Sequence, residues 1–197
     1  MLLEKAQVAR RQLGTALALF LEDLDPVSVH VLACGGGEIA EQIARKAAKK
    51  PFSTHILATF PEIKFGEVRA LRNQYWNAFK HATARNIDER IDRVLLARFS
   101  DQQNDHTLFL GWYDFALAVG SLPVEAQVFE AWYLALYPEK LNPGVSRTPL
   151  EQIFPKLGEL PRGQQKKKLR EVIASTRSRA DVMNDPRTDI QPLIVPS

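Results

Sequence analysis

The sequence predicts an all-α protein, and three observations carry that expectation. Apolar residues recur at spacings of three and four along most of the chain, which is the period of a helix face. Proline-containing stretches punctuate those periodic segments. No run of alternating apolar and polar residues is bounded by hairpin-turn signals. With 197 residues, of which 45% are hydrophobic and 25% charged, the chain is long enough to bury a substantial core. That excludes a disordered tail and a disulfide-stapled miniature.

The first helix is expected over 3–24, where Ala6, Ala9, Leu13, Leu17, Phe20 and Leu24 form one stripe. Asp25 then caps a second helix whose first turn tolerates Pro26, since the missing backbone donor has no helical partner there. Its periodic residues are Val29, Leu32, Gly36, Ile39, Ile43 and Ala47, and Arg45, Lys46, Lys49 and Lys50 complement its C-terminal dipole before Pro51. The two helices are expected to form an antiparallel hairpin. A short connection holding Pro51 and Pro61 leads to a third helix over 64–84, with Val68, Leu71, Tyr75, Ala78 and Ala82 facing inward. Further helices are expected over 87–99 through Ile91, Val94, Leu95 and Phe99, then over 104–120 and 124–137, the last two separated by Ser121-Leu122-Pro123.

From Pro138 the frequency of proline and glycine rises, so an arm with at most one short helix is expected, followed by a terminal helix over 164–183 and an extended tail that packs through Leu193, Ile194 and Val195. Composition accordingly divides the chain into a helical bundle, 1–141, and a flanking region, 142–197. Residues 1–141 carry 16 Lys+Arg and 17 Asp+Glu, whereas 142–197 carry 10 and 6, so the net charge of +3 is C-terminal in origin. Between Lys156 and Arg179 eight basic residues meet two acidic ones, which suits a phosphate or an acidic protein partner as well as a solvated helix face.

Cys34 is the single cysteine, which excludes an internal disulfide framework. Charges at Glu4, Lys5, Arg10 and Arg11 interrupt the N-terminal apolar residues, and Asp114 interrupts the most apolar later stretch, so no leader and no membrane span is expected. The expected location is cytoplasmic. His30, His55, His81 and His106 are scattered, and the Glu-x-x-His spacing of di-iron bundles is missing, so neither a metal site nor a cofactor is expected.

Three features invite a functional reading. Gly35-Gly36-Gly37 lacks the phosphate-loop pattern and sits within a helical segment; together with Ala33 and Ala40 it reads as a seam for close helix packing. Glu38 and Glu41 lie one turn apart and can share a face, either solvated and locally paired or acting on a ligand. The third helix places Arg69, Asn73, Trp76, Asn77, Lys80 and His81 on the side opposite its apolar stripe. Arginine and lysine bind phosphate oxygens, asparagine orients polar groups, tryptophan stacks on bases, and histidine transfers protons near neutral pH. That chemistry suits RNA or a phosphorylated ligand. The same face also suits a wet contact between helices or subunits.

The segment QLGTALALFLEDLDPVSVHVLACGGGEIAEQIARK followed by NQYWNAFKHA resembles a group of all-helical bacterial proteins and, more distantly, is similar to HEPN domains over about the first 140 residues. HEPN ribonucleases carry an arginine, four to six residues and then a histidine, with an asparagine often following the arginine. Here Asn77 and His81 match, but Trp76 stands at the arginine position, and Arg72 lies eight intervening residues before His81. Without that guanidinium the charge of a phosphoryl transition state lacks its bidentate partner. The resemblance therefore implies a helical, dimeric interaction protein in a defence or toxin-antitoxin setting, binding a partner protein or RNA without catalysis. A metal-independent ribonuclease using His81 as general acid or base is one alternative. A bundle that encloses a small ligand between its helices is another. A homodimer is also expected from the aromatic-rich helices around Trp112 and Trp132, which carry more apolar faces than one small bundle readily covers.

Overall fold

A computed structural model describes residues 3–81, 89–141 and 144–196. The described residues are predominantly helical: α1 (Lys5–Leu21), α2 (Pro26–Lys46), α3 (Phe52–Thr59), α4 (Phe65–Lys80), α5 (Glu89–Leu96), α6 (Gln102–Val119), α7 (Val124–Leu136), α8 (Thr148–Ile153), α9 (Arg162–Arg177) and α10 (Ala180–Met183). Two dipeptide strands, β1 (Leu122–Pro123) and β2 (Thr188–Asp189), pair in parallel. The expected all-α helical architecture is what the chain adopts. The expected end of the third helix at Ala82 to Ala84, the start of the next at Ile87, and Pro143 lie outside the described residues, as does the side chain of Ile91.

Asp25 starts α2 as its residue type requires: the carboxylate accepts from the backbone N–H of Val27 (3.2 Å) and Ser28 (2.9 Å), with Pro26 at the first helical position. The Ser28 hydroxyl, which also donates to this carboxylate, and the Ser28 N–H hold the Asp25 carboxyl below its usual pKa. The expected hairpin of α1 and α2 forms, and α2 also packs against α6 and α4. Being covered on several sides, α2 buries Val29, Ala33, Gly36, Gly37, Ala40 and Ala44, while Leu32, Ile39 and Ile43 are only half-buried on its flank. The inner stripe is therefore offset from the one that large apolar residues suggest, because small side chains let three helices approach one axis. A Cβ at Gly36 would lie 2.8 Å from Leu13 Cγ and 3.1 Å from the Ala9 carbonyl oxygen, so the α1 contact requires glycine.

Three expectations need correction. The connection after Pro51 contains a helix, α3, whose first turn is capped by a side chain far away in sequence, as described below. Leu71, expected inside, is 69% exposed, and Leu24 lies beyond the end of α1 and is also exposed. The terminal helix breaks into α9 and α10 at Ser178 and Arg179.

By compactness the chain divides between Val119 and Gly120, earlier than the compositional change after Leu141. Gly120, with φ of 89°, ends α6 in a conformation that L side chains disfavour. The second unit is built around α7. Trp132 is fully buried and its indole N–H donates to the Gln165 carbonyl (3.0 Å) at α9, and Arg177 pairs with Glu125. Apolar α7 is the core on which the proline-containing arm folds, which explains the earlier division. In the tail Leu193 is buried and Ile194 is exposed.

Candidate functional site

Two neighbouring features of the first unit concentrate polar chemistry, and both depend on where α3 and α4 dock. The first is a carboxylate and arginine cluster. Glu41 projects from α2; its Oε1 accepts from Ser53 Oγ (2.6 Å) and Arg45 Nη2 (2.8 Å), and its Oε2 from Arg72 Nη1 (2.6 Å). Arg45 also donates to Ser53 Oγ (2.8 Å). Burial alone would raise the Glu41 pKa, but the hydrogen bonds from Ser53 and Arg45 and the charges of Arg72 and Arg45 outweigh it and hold the carboxyl below its usual value. One turn earlier Glu38 accepts from Arg69 Nη2 (3.0 Å) in a more exposed pair.

Asp114 of α6 is wholly buried and lies near enough to the cluster to feel the charges of Arg72, Glu41 and Arg45. Its Oδ1 accepts from the Phe52 N–H (2.8 Å), one of the donors that the first turn of α3 leaves without a helical partner. Its Oδ2 has no hydrogen-bond partner among the described residues. Burial pushes the Asp114 carboxyl up to about 6, and the nearby Glu41 charge acts in the same direction, against the Phe52 bond and the Arg72 and Arg45 charges. A folded-state pKa above the unfolded one means that protonation favours the fold. The associated stability is fully present below the unfolded pKa near 3.8 and is lost as pH rises through about 6. Acidifying from pH 8 to pH 5 is therefore expected to add about 1 to 1.5 kcal/mol through Asp114. Urea denaturation of native protein and Asp114→Asn at both values checks this. The difference between the two proteins isolates the carboxyl, and a pH dependence unchanged by the substitution would refute its assignment.

The second feature is a cleft of about 570 Å³ between α3, α4 and α6. Ile56, Ile63, Val68, Leu71 and Leu110 make much of its wall apolar, and Ser53, Glu67, Arg72, Gln74, Gln103, His106, Thr107 and His30 bring polar groups to it. His30 is 2% exposed and is ringed edge-on by Tyr75, Phe79 and Phe99 at centroid distances of 5.9, 5.8 and 5.4 Å. Its Nδ1 lies 3.0 Å from Asn104 Oδ1, while Nε2 has no partner among the described residues. Burial lowers the His30 pKa, against the Asn104 bond, so the ring is neutral near pH 7. A smaller cavity of about 170 Å³ lies on the other side of Arg72, Ser53 and Val68, lined also by Glu38, Arg69 and Asn73.

The six residues expected on the polar face of the third helix do not converge on one place. Arg69 and Asn73 line the small cavity toward α2. Lys80 Nζ instead sits 3.5 Å from the centroid of the Trp76 ring, a cation–π contact on α4 itself. Asn77 is exposed, and its carbonyl accepts from the His81 N–H, so His81 is the exposed residue that ends the helix. Neither cavity is lined by His81. The glycine triplet serves packing: a Cβ at Gly37 would lie 3.2 Å from Gly111 Cα and 3.3 Å from Arg72 Nη2.

Basic residues near the C-terminus are largely engaged within their own unit. Lys166 is buried, Lys168 pairs with Glu171 (2.7 Å), Arg179 with Asp181 (2.6 Å), and Arg162 lies over the Trp132 ring. Among the described residues no group of three His, Cys, Asp or Glu side chains comes together as a metal site, and no helix is long and apolar enough to cross a membrane. Cys34 is buried, and burial pushes its thiol up to about 12, far from a reactive thiolate. No family model, curated protein or solved structure matches the chain.

Sequence reasoning missed Asp114, Arg72 and His30 as site residues. Asp114 was visible as the one charge in the apolar stretch 108–122, a pattern that places a carboxylate in the core. His30, flanked by Val29 and Val31, carries a similar signal. Arg72 carries none, since its partner lies on another helix.

Proposed function

We propose that the first unit binds a small, largely apolar molecule in the cleft between α3, α4 and α6. The supporting observation is about 570 Å³ of space whose exposed lining is mostly apolar, with the buried His30 among the residues around it. Ligand sites of this size typically combine apolar walls with a few fixed polar groups. The exposed Leu71 side chain belongs to that wall, so its position answers to the cleft rather than to the core.

A partner protein or RNA on the outer face of α4 draws less support, because Arg69 is paired with Glu38 and Lys80 is drawn onto Trp76. A His81-centred ribonuclease draws less still, since general acid–base work needs the imidazole within reach of a bound phosphate in a cleft. The homodimer expected from the aromatic-rich helices loses its motivating feature, as Trp112 and Trp132 are both wholly buried within the chain.

Titration with N-phenylnaphthylamine, an uncharged dye that brightens in apolar surroundings, tests the reading. Saturable binding at one site is expected. Leu71→Asp is expected to weaken it about tenfold, because the added carboxylate must lose water when the dye enters. The exposed position spares the fold. Absence of binding, or binding indifferent to Leu71→Asp, would refute the proposal.

A further inference from the structure

We infer that the smaller cavity, of about 170 Å³ between α2 and α4, is a second binding site, for a small monocarboxylate with a compact apolar body. It does not depend on the cleft being occupied. Three guanidinium groups and two carboxylates line the cavity: Arg45, Arg69 and Arg72 against Glu38 and Glu41. One positive charge is therefore in excess, and the hydrogen bonding leaves donors free to use it. Glu41 is saturated, since its oxygens accept from Ser53, Arg45 and Arg72, so it does not compete for Arg69. Arg69 gives one nitrogen, Nη2, to Glu38. Its Nε and Nη1 donate to nothing among the described residues, and with 61% of its side chain exposed they are open to an incoming ligand. The amide side chains of Gln42 and Asn73, also without hydrogen bonds among the described residues, add further donors to the same wall.

That inventory selects the ligand. A planar carboxylate matches the fork of a guanidinium with two parallel hydrogen bonds. Its single charge offsets the excess, whereas a dianion would carry the site past neutrality beside Glu38 and Glu41. A cation is repelled by the excess, and a neutral molecule gains nothing from it. The remaining wall is apolar: Val68, and the ring of Phe65, over which the Arg45 guanidinium lies 5.0 Å from the centroid. A cavity of about 150 Å³ holds a benzene ring, so this one takes an acid of about that bulk, not a long chain.

Calorimetric titration of the native protein in low salt at pH 8 with benzoate, benzamide and phenylphosphonate tests the assignment. Benzoate is expected to bind at one site in the sub-millimolar range. It is expected to bind about tenfold tighter than benzamide, which keeps the shape without the charge, and about tenfold tighter than phenylphosphonate, which carries nearly two charges. Two substitutions locate the site, because Arg69 and Glu38 line this cavity and neither lines the cleft. Arg69→Gln is expected to weaken benzoate binding about tenfold. Glu38→Gln is expected to strengthen it several-fold, by freeing Arg69 and doubling the excess charge. The two residues form an exposed pair whose loss costs the fold little. If Arg69→Gln does not fold, the gain in Glu38→Gln and the ranking of the three probes on native protein decide. Absence of benzoate binding, equal binding of benzamide, a preference for phenylphosphonate, or benzoate affinity that Glu38→Gln leaves unchanged or lowers would overturn the inference. The dye titration of the cleft is unaffected by any of these outcomes.

Discussion

Replacing Glu41 by alanine is expected to cost about 3 to 5 kcal/mol of stability, the range for breaking a buried ion pair from one side. The carboxylate is the shared acceptor of three donors from three helices, and its side chain is only 12% exposed, as Arg72 is 16%. Its loss leaves the Arg72 guanidinium nearly buried without its counter-charge and the buried Ser53 hydroxyl without its acceptor, while the more exposed Arg45 rehydrates. The damage is expected to concentrate on α3 and α4, which the cluster holds against α2. Chemical denaturation measures the total, and hydrogen exchange locates it. Arg72→Met combined with Glu41→Met is expected to recover a large part of the loss, since an apolar pair of similar volume no longer buries an uncompensated charge. A Glu41→Ala protein within 1 kcal/mol of native, measured in the same buffer, would mean that solvent already reaches the cluster.

Gly36→Leu is expected to destabilise by about 3 kcal/mol, at the upper end of overpacking costs. Already at Cβ the side chain meets Leu13 and the Ala9 backbone, and the latter cannot swing aside as a side-chain terminus can. The hairpin has to open or α1 has to shift along its axis. Gly66 in α4 supplies the contrast, because a Cβ there has nothing within 4 Å. Gly66→Ala is expected to be neutral or to stabilise by up to about 1 kcal/mol through helix propensity. Thermal unfolding of the two variants side by side distinguishes a packing requirement from a general effect of filling glycines. Equal melting temperatures would remove the seam from the account.

The parts of the fold that were legible in the sequence are those whose causes are local. Asp25 and Pro26 announce the start of α2 within four residues, and the periodicity of α1 lies wholly within its own helix. Helix α3 was illegible for the complementary reason. Pro51 offers no side-chain cap, and the group that satisfies Phe52 N–H is Asp114, on α6. The candidate site divides in the same way. Glu38 and Glu41 stood out as a pair one turn apart, but the arginines that bind them come from α4 and from the next turn of α2. Equally, the face of α4 that looked like one surface in projection splits between two surroundings. Arg69 leans on Glu38, and Lys80 folds back onto Trp76, preferences that angular position on a helix does not contain. Leu71 looked like core because it fits the helical period, yet a cleft wall obeys the same period as a core.

The short parallel ribbon in the second unit has a kinetic corollary. Leu122 N–H donates to the Arg187 carbonyl, and Leu122 and Pro123 stand in register with Thr188 and Asp189, so the strand that leads into α7 is held by a segment beyond α10. Gln127 reinforces the junction, donating to the Leu122 carbonyl and to Thr188 Oγ1 (both 3.0 Å). Such contacts carry a large loop-closure entropy, whereas the α1 and α2 hairpin closes over a few residues. During synthesis the hairpin can form as soon as both its helices have left the ribosome. The ribbon cannot: α7 has to wait with Trp132 incompletely covered until α9 has been made, and the strand before it until Arg187 and Thr188 have, an interval in which uncovered apolar surface invites aggregation.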